Sequence, residues 1–283
     1  MVPERRLYAT DAIVLSRFDY GEADRIVTLI TPSIGKIKVI AKGVRRPTSR
    51  LGGSLEPFAE LRVSLVRGRT FDVVTQVAVI HAWLHLRDAL DSTATAWYVA
   101  ELVDRSLEER HPTEPLYALL RRTCELLDAG MAPGRAARWY EMRLADELGV
   151  RPEVDRCVEC DRIVEATDRV RWAPALGGVL CERHPGPSFD QAGLSTDALR
   201  LLKAYQRMDV EAIAGLRLPA AVEREAEAAL RAFLSYSLER EPRSRRFLDE
   251  VSASGMARSA GAARSAGAAR SAGGIPEGEG GDG

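Results

Sequence analysis

Over the first 80 residues apolar positions come in short runs or alternate with polar ones; after Trp83 they recur three and four apart. Ala12-Ile13-Val14-Leu15 is a compact apolar run with β-branched members, and Arg25–Thr31 is a second that stops at Pro32. Gly35-Lys36-Ile37-Lys38-Val39-Ile40-Ala41 alternates basic with apolar residues, the period of a half-buried strand, although Val39-Ile40 interrupts the pattern. Leu61–Val66 alternates again and Val73–Ile80 closes the set. Turn signals separate the runs at Pro32-Ser33, Gly52-Gly53 and Arg67-Gly68-Arg69. Five short strands cannot hide their edges as an open sheet, so the pattern predicts a closed five-stranded barrel of the OB type over residues 1–80.

The spacing then changes to that of helices. Val99, Leu102, Val103 and Leu107 form one apolar face, and Leu116, Leu119, Leu120, Cys124 and Leu127 another, with Pro115 suited to a first helical turn. Pro133 opens a third helix that runs to the stop at Gly149. Ser195 is an N-cap before Leu199, Leu202 and Tyr205, and a long Ala-, Glu- and Arg-rich helix spans about Pro219 to Leu238. The fold class is therefore α+β and multidomain: the barrel, then a mainly α-helical domain over 81–251. From about Ser252 a six-residue Ala-Arg-Ser-Ala-Gly-Ala theme repeats, with no large side chain except Met256 and Ile275. This predicts a disordered tail over 252–283, either an idle extension or a weak electrostatic tether.

Residues 154–186 break the helical series, and there the strongest chemical signal lies. Cys157-x2-Cys160 is followed by Cys181-x2-His184, with 20 residues between the pairs. A Cys-x-x-Cys turn aims two thiolates at one ion, and three cysteines with one histidine make a closed tetrahedral set, the structural type of zinc site. Gly177-Gly178 suits the hairpin that joins the pairs, and Trp172 and Leu180 are placed to pack over it. A redox pair is the alternative, but no βαβ context surrounds it; a chance grouping is the other. Cys124, on an apolar helical stripe, reads as an inert buried thiol. His81, His85 and His111 have no partner at metal-ligating spacing.

Composition adds one correction to this picture. The chain has 283 residues, 40 Lys+Arg, 41 Asp+Glu and a net charge of −1, which alone excludes a uniformly basic nucleic-acid protein. Residues 1–80 nevertheless carry 13 basic and 8 acidic side chains, and the remainder 27 and 33. The positive charge concentrates in Lys42-Gly43-Val44-Arg45-Arg46-Pro47-Thr48-Ser49-Arg50, a loop with little apolar content beyond Val44. With Lys36, Lys38, Arg67 and Arg69 it predicts a strip of phosphate contacts across the barrel. Phe18, Tyr20, Phe58 and Phe71 lie near it as candidates for base stacking, each with core packing as the alternative. No Walker A cradle or G-x-G-x-x-G occurs. The absence of any run of about 18 apolar residues, or of an apolar signal core after Met1, predicts a cytoplasmic protein without membrane spans.

The order of features resembles the RecO family of bacterial DNA repair proteins, which are recombination mediators. The resemblance rests on Ala12–Arg17, Tyr20-Gly21-Glu22-Ala23-Asp24-Arg25-Ile26, Gly35–Arg46 and Gly53-Ser54-Leu55-Glu56-Pro57-Phe58. Later come Trp139-Tyr140-Glu141, Leu148-Gly149 and Ser244-Arg245-Arg246-Phe247-Leu248, so it covers about residues 8–250. It implies an N-terminal OB domain and a helical domain with a zinc module. It implies binding of single- and double-stranded DNA, strand annealing, and recombinase loading onto DNA coated by single-strand-binding protein, with RecR as partner, at the nucleoid. In some members the helical domain binds the acidic tail of single-strand-binding protein. Many members carry a fourth cysteine where this chain has His184. Two readings compete with a non-catalytic DNA adaptor. One is an interaction scaffold with a merely solvated loop; the other is a zinc hydrolase or deaminase, for which the H-x-E sequence is missing.

Overall fold

The computed structural model describes residues 7–49, 51–165, 167–184, 192–238, 244 and 247–251. The expected tail and Arg50 lie outside the described residues. Five strands, β1 (Leu7–Tyr20), β2 (Asp24–Thr31), β3 (Gly35–Ala41), β4 (Glu60–Val66) and β5 (Asp72–His81), close into a barrel in the order β1-β2-β3-β5-β4. β4 returns to pair with β1, and β3 meets β5 in parallel at Val39 and Ile40. Strand β1 is far longer than its Ala12–Leu15 nucleus, because it bends around the barrel and serves both neighbours.

The barrel has two apolar sides. Ala12, Val14, Val27, Leu29, Ile37, Val39, Leu61, Val63 and Leu65 fill its interior. Ile13, Leu15, Ile30 and Phe58 point the other way, into the core of the helical domain. A bulge between Val14 and Ser16 adds one residue to β1, so Val14 pairs with Leu29 but Ser16 with Thr28. Because side chains alternate along a strand, that residue exchanges the faces. Beyond it Phe18 and Tyr20, not their odd-numbered neighbours, stand on the outer surface. In β3 the alternation is unbroken: Ile40 shares the outer face with Lys36 and Lys38, where it continues the row Phe18–Ile26–Ile40.

The helical domain contains α1 (Leu84–Asp88), α2 (Leu90–Ser106), α3 (Glu114–Asp128), α4 (Pro133–Glu147), α5 (Thr196–Arg207), α6 (Val210–Ala214) and α7 (Ala220–Ser237). The expected signals operate: Pro115 and Pro133 lie in first turns, Ser195 caps α5 by accepting from the Ala198 N–H, and Gly149 takes a φ of 73° after α4. A small sheet of β6 (Val170–Ala173), β7 (Gly178–Cys181) and β8 (Ala192–Leu194) separates α4 from α5. α1 and α6 are too short to show a period in the sequence.

Polar contacts fix the barrel to the helices. Glu60, with a side chain only 6% exposed, accepts from the Tyr117 hydroxyl and Arg121 Nε of α3, and lies 2.7 Å from His81 Nδ1. Asp72 accepts from the Tyr8 hydroxyl, the Gly68 N–H and Arg110. The segment between α2 and α3 lies along the β2–β3 turn: Arg110 N–H donates to Lys36 O, and Thr113 N–H to Pro32 O. Gly35 permits this approach, since its φ is 80° and a Cβ there would sit 1.7 Å from the His111 carbonyl oxygen.

Burial raises the Glu60 carboxyl, but hydrogen bonds from His81, Tyr117 and Arg121 outweigh it and hold it below the usual range; Asp72 is held low in the same way by Tyr8, Gly68 and Arg110. A folded pKa below the unfolded one stabilises the protein above about pH 4, and that stability is lost as pH falls through the folded value. Glu60→Ala, which leaves the buried Tyr117 hydroxyl without its acceptor while Arg121 keeps Glu125, should cost about 1–3 kcal/mol in urea unfolding. Glu60→Gln should flatten the fall of the urea midpoint as the pH drops below the ordinary carboxylate range.

Candidate metal centre and basic surface

Two turns build the metal centre. In the first, Cys157 N–H donates to Arg162 O and Asp161 N–H to Cys157 O, with Asp161 at a φ of 58°. In the second, His184 N–H donates to Cys181 O at the end of β7. Gly178 opposes Glu153, whose carbonyl oxygen would lie 2.3 Å from an added Cβ, and this close approach brings the turns together. All four candidate ligand atoms lie within 4.8 Å of one another. Cys160 Sγ is 3.9 Å from Cys181 Sγ, and His184 Nδ1 is 3.3 Å from Cys181 Sγ and 3.7 Å from Cys157 Sγ. A zinc tetrahedron with arms of about 2.0–2.3 Å has edges of roughly 3.5–3.8 Å, so these residues fit that ion. Burial opposes the Cys157 thiolate, but the N–H groups of Cys181, Glu159 and Cys160 point at the sulfur and bring its pKa down. Four protein ligands leave no position for a reacting water.

The module shares the helical core through Cys157, Val164, Val170, Val179, Leu180 and Cys181. Trp172 packs against α7: its Nε1 donates to Ala229 O and its ring lies 6.2 Å from Phe233. α5 holds the other side, where Lys203 donates to Val164 O and Gln206 to Pro152 O. Cys124 is fully buried, and burial pushes its thiol up to about 12.

The basic residues divide into groups with different neighbours. Lys36 is 13% exposed and pairs with Asp104 at 3.1 Å; Lys38 pairs with Glu109 at 2.5 Å. Both are turned to the helical domain, so they do not continue a free strip. The 42–49 loop is held on the β1–β2 turn: Arg45 N–H donates to Ala23 O, Arg45 Nε lies 3.2 Å from Asp19, and Gly43 N–H donates to Asp24 Oδ1. Val44 is buried in the barrel interior, so this loop is anchored. Lys42 and Arg46 are exposed, with no carboxylate partner among the described residues, and so is Arg69 on the β4–β5 turn. Arg67 lies over the Tyr8 ring. The four aromatics separate as well. Phe58 is buried edge-on against Trp97, Phe71 is half-buried, and Phe18 and Tyr20 are each 50% exposed. Sequence reasoning missed the Glu60–His81 contact, because the partners come from separate strands.

Two family models match this chain: Recombination protein O N terminal over residues 5–83 and Recombination protein O C terminal over 87–246. The chain belongs to the RecO family. A DNA repair protein RecO of Roseiflexus sp. is 40% identical over 247 residues, 87% of this chain and 86% of the relative. Those of Anaeromyxobacter sp. and Symbiobacterium thermophilum are 38% and 34% identical, covering 84% and 88% of this chain and 94% and 99% of theirs. The N-terminal match ends at residue 83 and the C-terminal match begins at 87, between β5 and α2.

Zinc binding is checked by metal analysis and chelation. One zinc per chain is expected, and Cys181→Ser or His184→Ala should lower that content. Chelation should open the 153–184 module to proteolysis and change the near-ultraviolet dichroism of Trp172, while the barrel stays folded.

Proposed function

We propose that this protein is a non-catalytic DNA-binding mediator of recombinational repair, acting in the cytoplasm at the nucleoid. The observation that carries this reading is the loop pinned by Arg45 to Asp19, which presents Lys42 and Arg46 uncompensated at one end of an OB barrel. Arg69 and Arg67 extend the basic surface on the β4–β5 turn, one of the two loops through which OB folds bind nucleic acid. Arg50 belongs to the same loop in sequence. Lys36 and Lys38 join only if phosphates displace Asp104 and Glu109.

Phosphate contacts hold single or double strands without reading sequence, and neutralising both complements lowers their repulsion during annealing. The RecO relatives support a role in DNA repair, and the acidic remainder of the chain keeps DNA to the barrel. RecR and single-strand-binding protein are the partners this reading assigns, with recombinase loading as the outcome. A zinc held by Cys157, Cys160, Cys181 and His184 would stabilise the fold and take no part in a reaction.

Titration of labelled single-stranded DNA at several salt concentrations tests the reading. Affinity should fall steeply with salt. Lys42→Glu with Arg46→Glu should weaken binding uniformly across sequences and reduce the salt slope by about two. An unchanged affinity and slope would remove the loop from the DNA surface.

A further inference from the structure

We infer that Phe18 and Tyr20 form a stacking platform for unpaired bases, so that the surface distinguishes single-stranded from duplex DNA. The inference rests on the DNA-binding reading above and names two residues that reading does not need.

Three observations carry it. Each ring is 50% exposed, although a large aromatic side chain on a strand normally finds cover. Both sit on the outer face only because of the bulge at Val14–Ser16; with β1 in regular register, positions 18 and 20 would point into the barrel. The rings also stand beside the uncompensated cations. Phe18 pairs with Ile26, which pairs with Ile40, two residues before Lys42. Tyr20 pairs with Asp24, whose carboxylate accepts from Gly43 N–H 2.7 Å away. Tyr20 and the start of the basic loop are therefore adjacent.

That arrangement selects its occupant. An apolar protein surface would not favour desolvating Lys42 and Arg46, whereas a nucleotide strand offers phosphates to the cations and flat apolar bases to the rings. Residues two apart on a strand are about 6.8 Å apart, roughly twice the step of about 3.4 Å along one strand of a B-form duplex. Two successive bases can each lie on a ring only after leaving their own stack, and bases held in a duplex cannot do so.

The test measures binding of the full chain to three probes: an oligothymidylate, the same backbone with abasic sites, and a duplex. Phe18→Ala and Tyr20→Ala should each weaken oligothymidylate binding roughly 5- to 100-fold. They should leave the salt slope, duplex binding and abasic-strand binding unchanged, and Tyr20→Phe should restore affinity. Because both rings are exposed, the thermal midpoint of the variants should match the parent, which excludes misfolding. Alanine variants that bind oligothymidylate like the parent, or lose affinity equally for all three probes, overturn the platform. If Lys42→Glu/Arg46→Glu still weakens binding in that case, the platform fails and the basic loop stands. If that double variant also binds normally, the DNA-binding reading of this surface fails with it.

Discussion

The burial of Glu60 between the barrel and α3 is the constraint on which the rest of the structure turns. A carboxylate removed from water must be met by donors, and here Tyr117 and Arg121 from the helices and His81 from β5 supply them. The contact is directional, so it sets one orientation of the barrel, which the apolar contacts of Ile13, Leu15, Ile30 and Phe58 alone would not. His81 in turn stacks on Trp83, the residue that opens the helical domain. The docking decides which face of the barrel is spent on the interior of the protein and which remains for a partner.

That division explains the fate of the positive charge. Lys36, Lys38 and the pair Lys42 and Arg46 are equivalent in a count of charges, yet docking brings Asp104 and Glu109 onto the first two. A phosphate reaching those lysines must displace a carboxylate already in contact. One reaching Lys42 or Arg46 displaces only water and counterions, and the release of counterions favours it. Arg45 has a third role: its pairing with Asp19 uses its own charge to hold the neighbouring cations in place.

The strands, the helices with proline starts and a serine cap, and the Cys/His cluster were legible in the sequence because each is specified locally. Period, capping chemistry and the two-residue Cys and His spacings need no knowledge of the distant chain. Two features were not legible, for one physical reason: both depend on long-range register. The β1 bulge is visible only against β2, and it decides that Phe18 and Tyr20 face outward. The masking of Lys36 and Lys38 requires the end of α2 and the segment that follows it, distant in sequence, to lie along the β2–β3 turn. Gly35 marked that place, but a turn glycine does not say what passes over it.

The candidate metal centre lies in the helical domain, away from the barrel. Its sheet is too small to be stable by itself: β6, β7 and β8 have four, four and three residues. Trp172 joins it to α7 and Lys203 to α5, so the module rests on two helices that also pack directly against each other. A tetrahedral ion held by two turns would fix those turns at one separation, and through Trp172 and Lys203 the relative placement of α5 and α7. With an ion between them, the four clustered side chains would act on the helical domain as Glu60 acts on the barrel: each uses a group that is costly to bury to enforce a single geometry between elements distant in sequence.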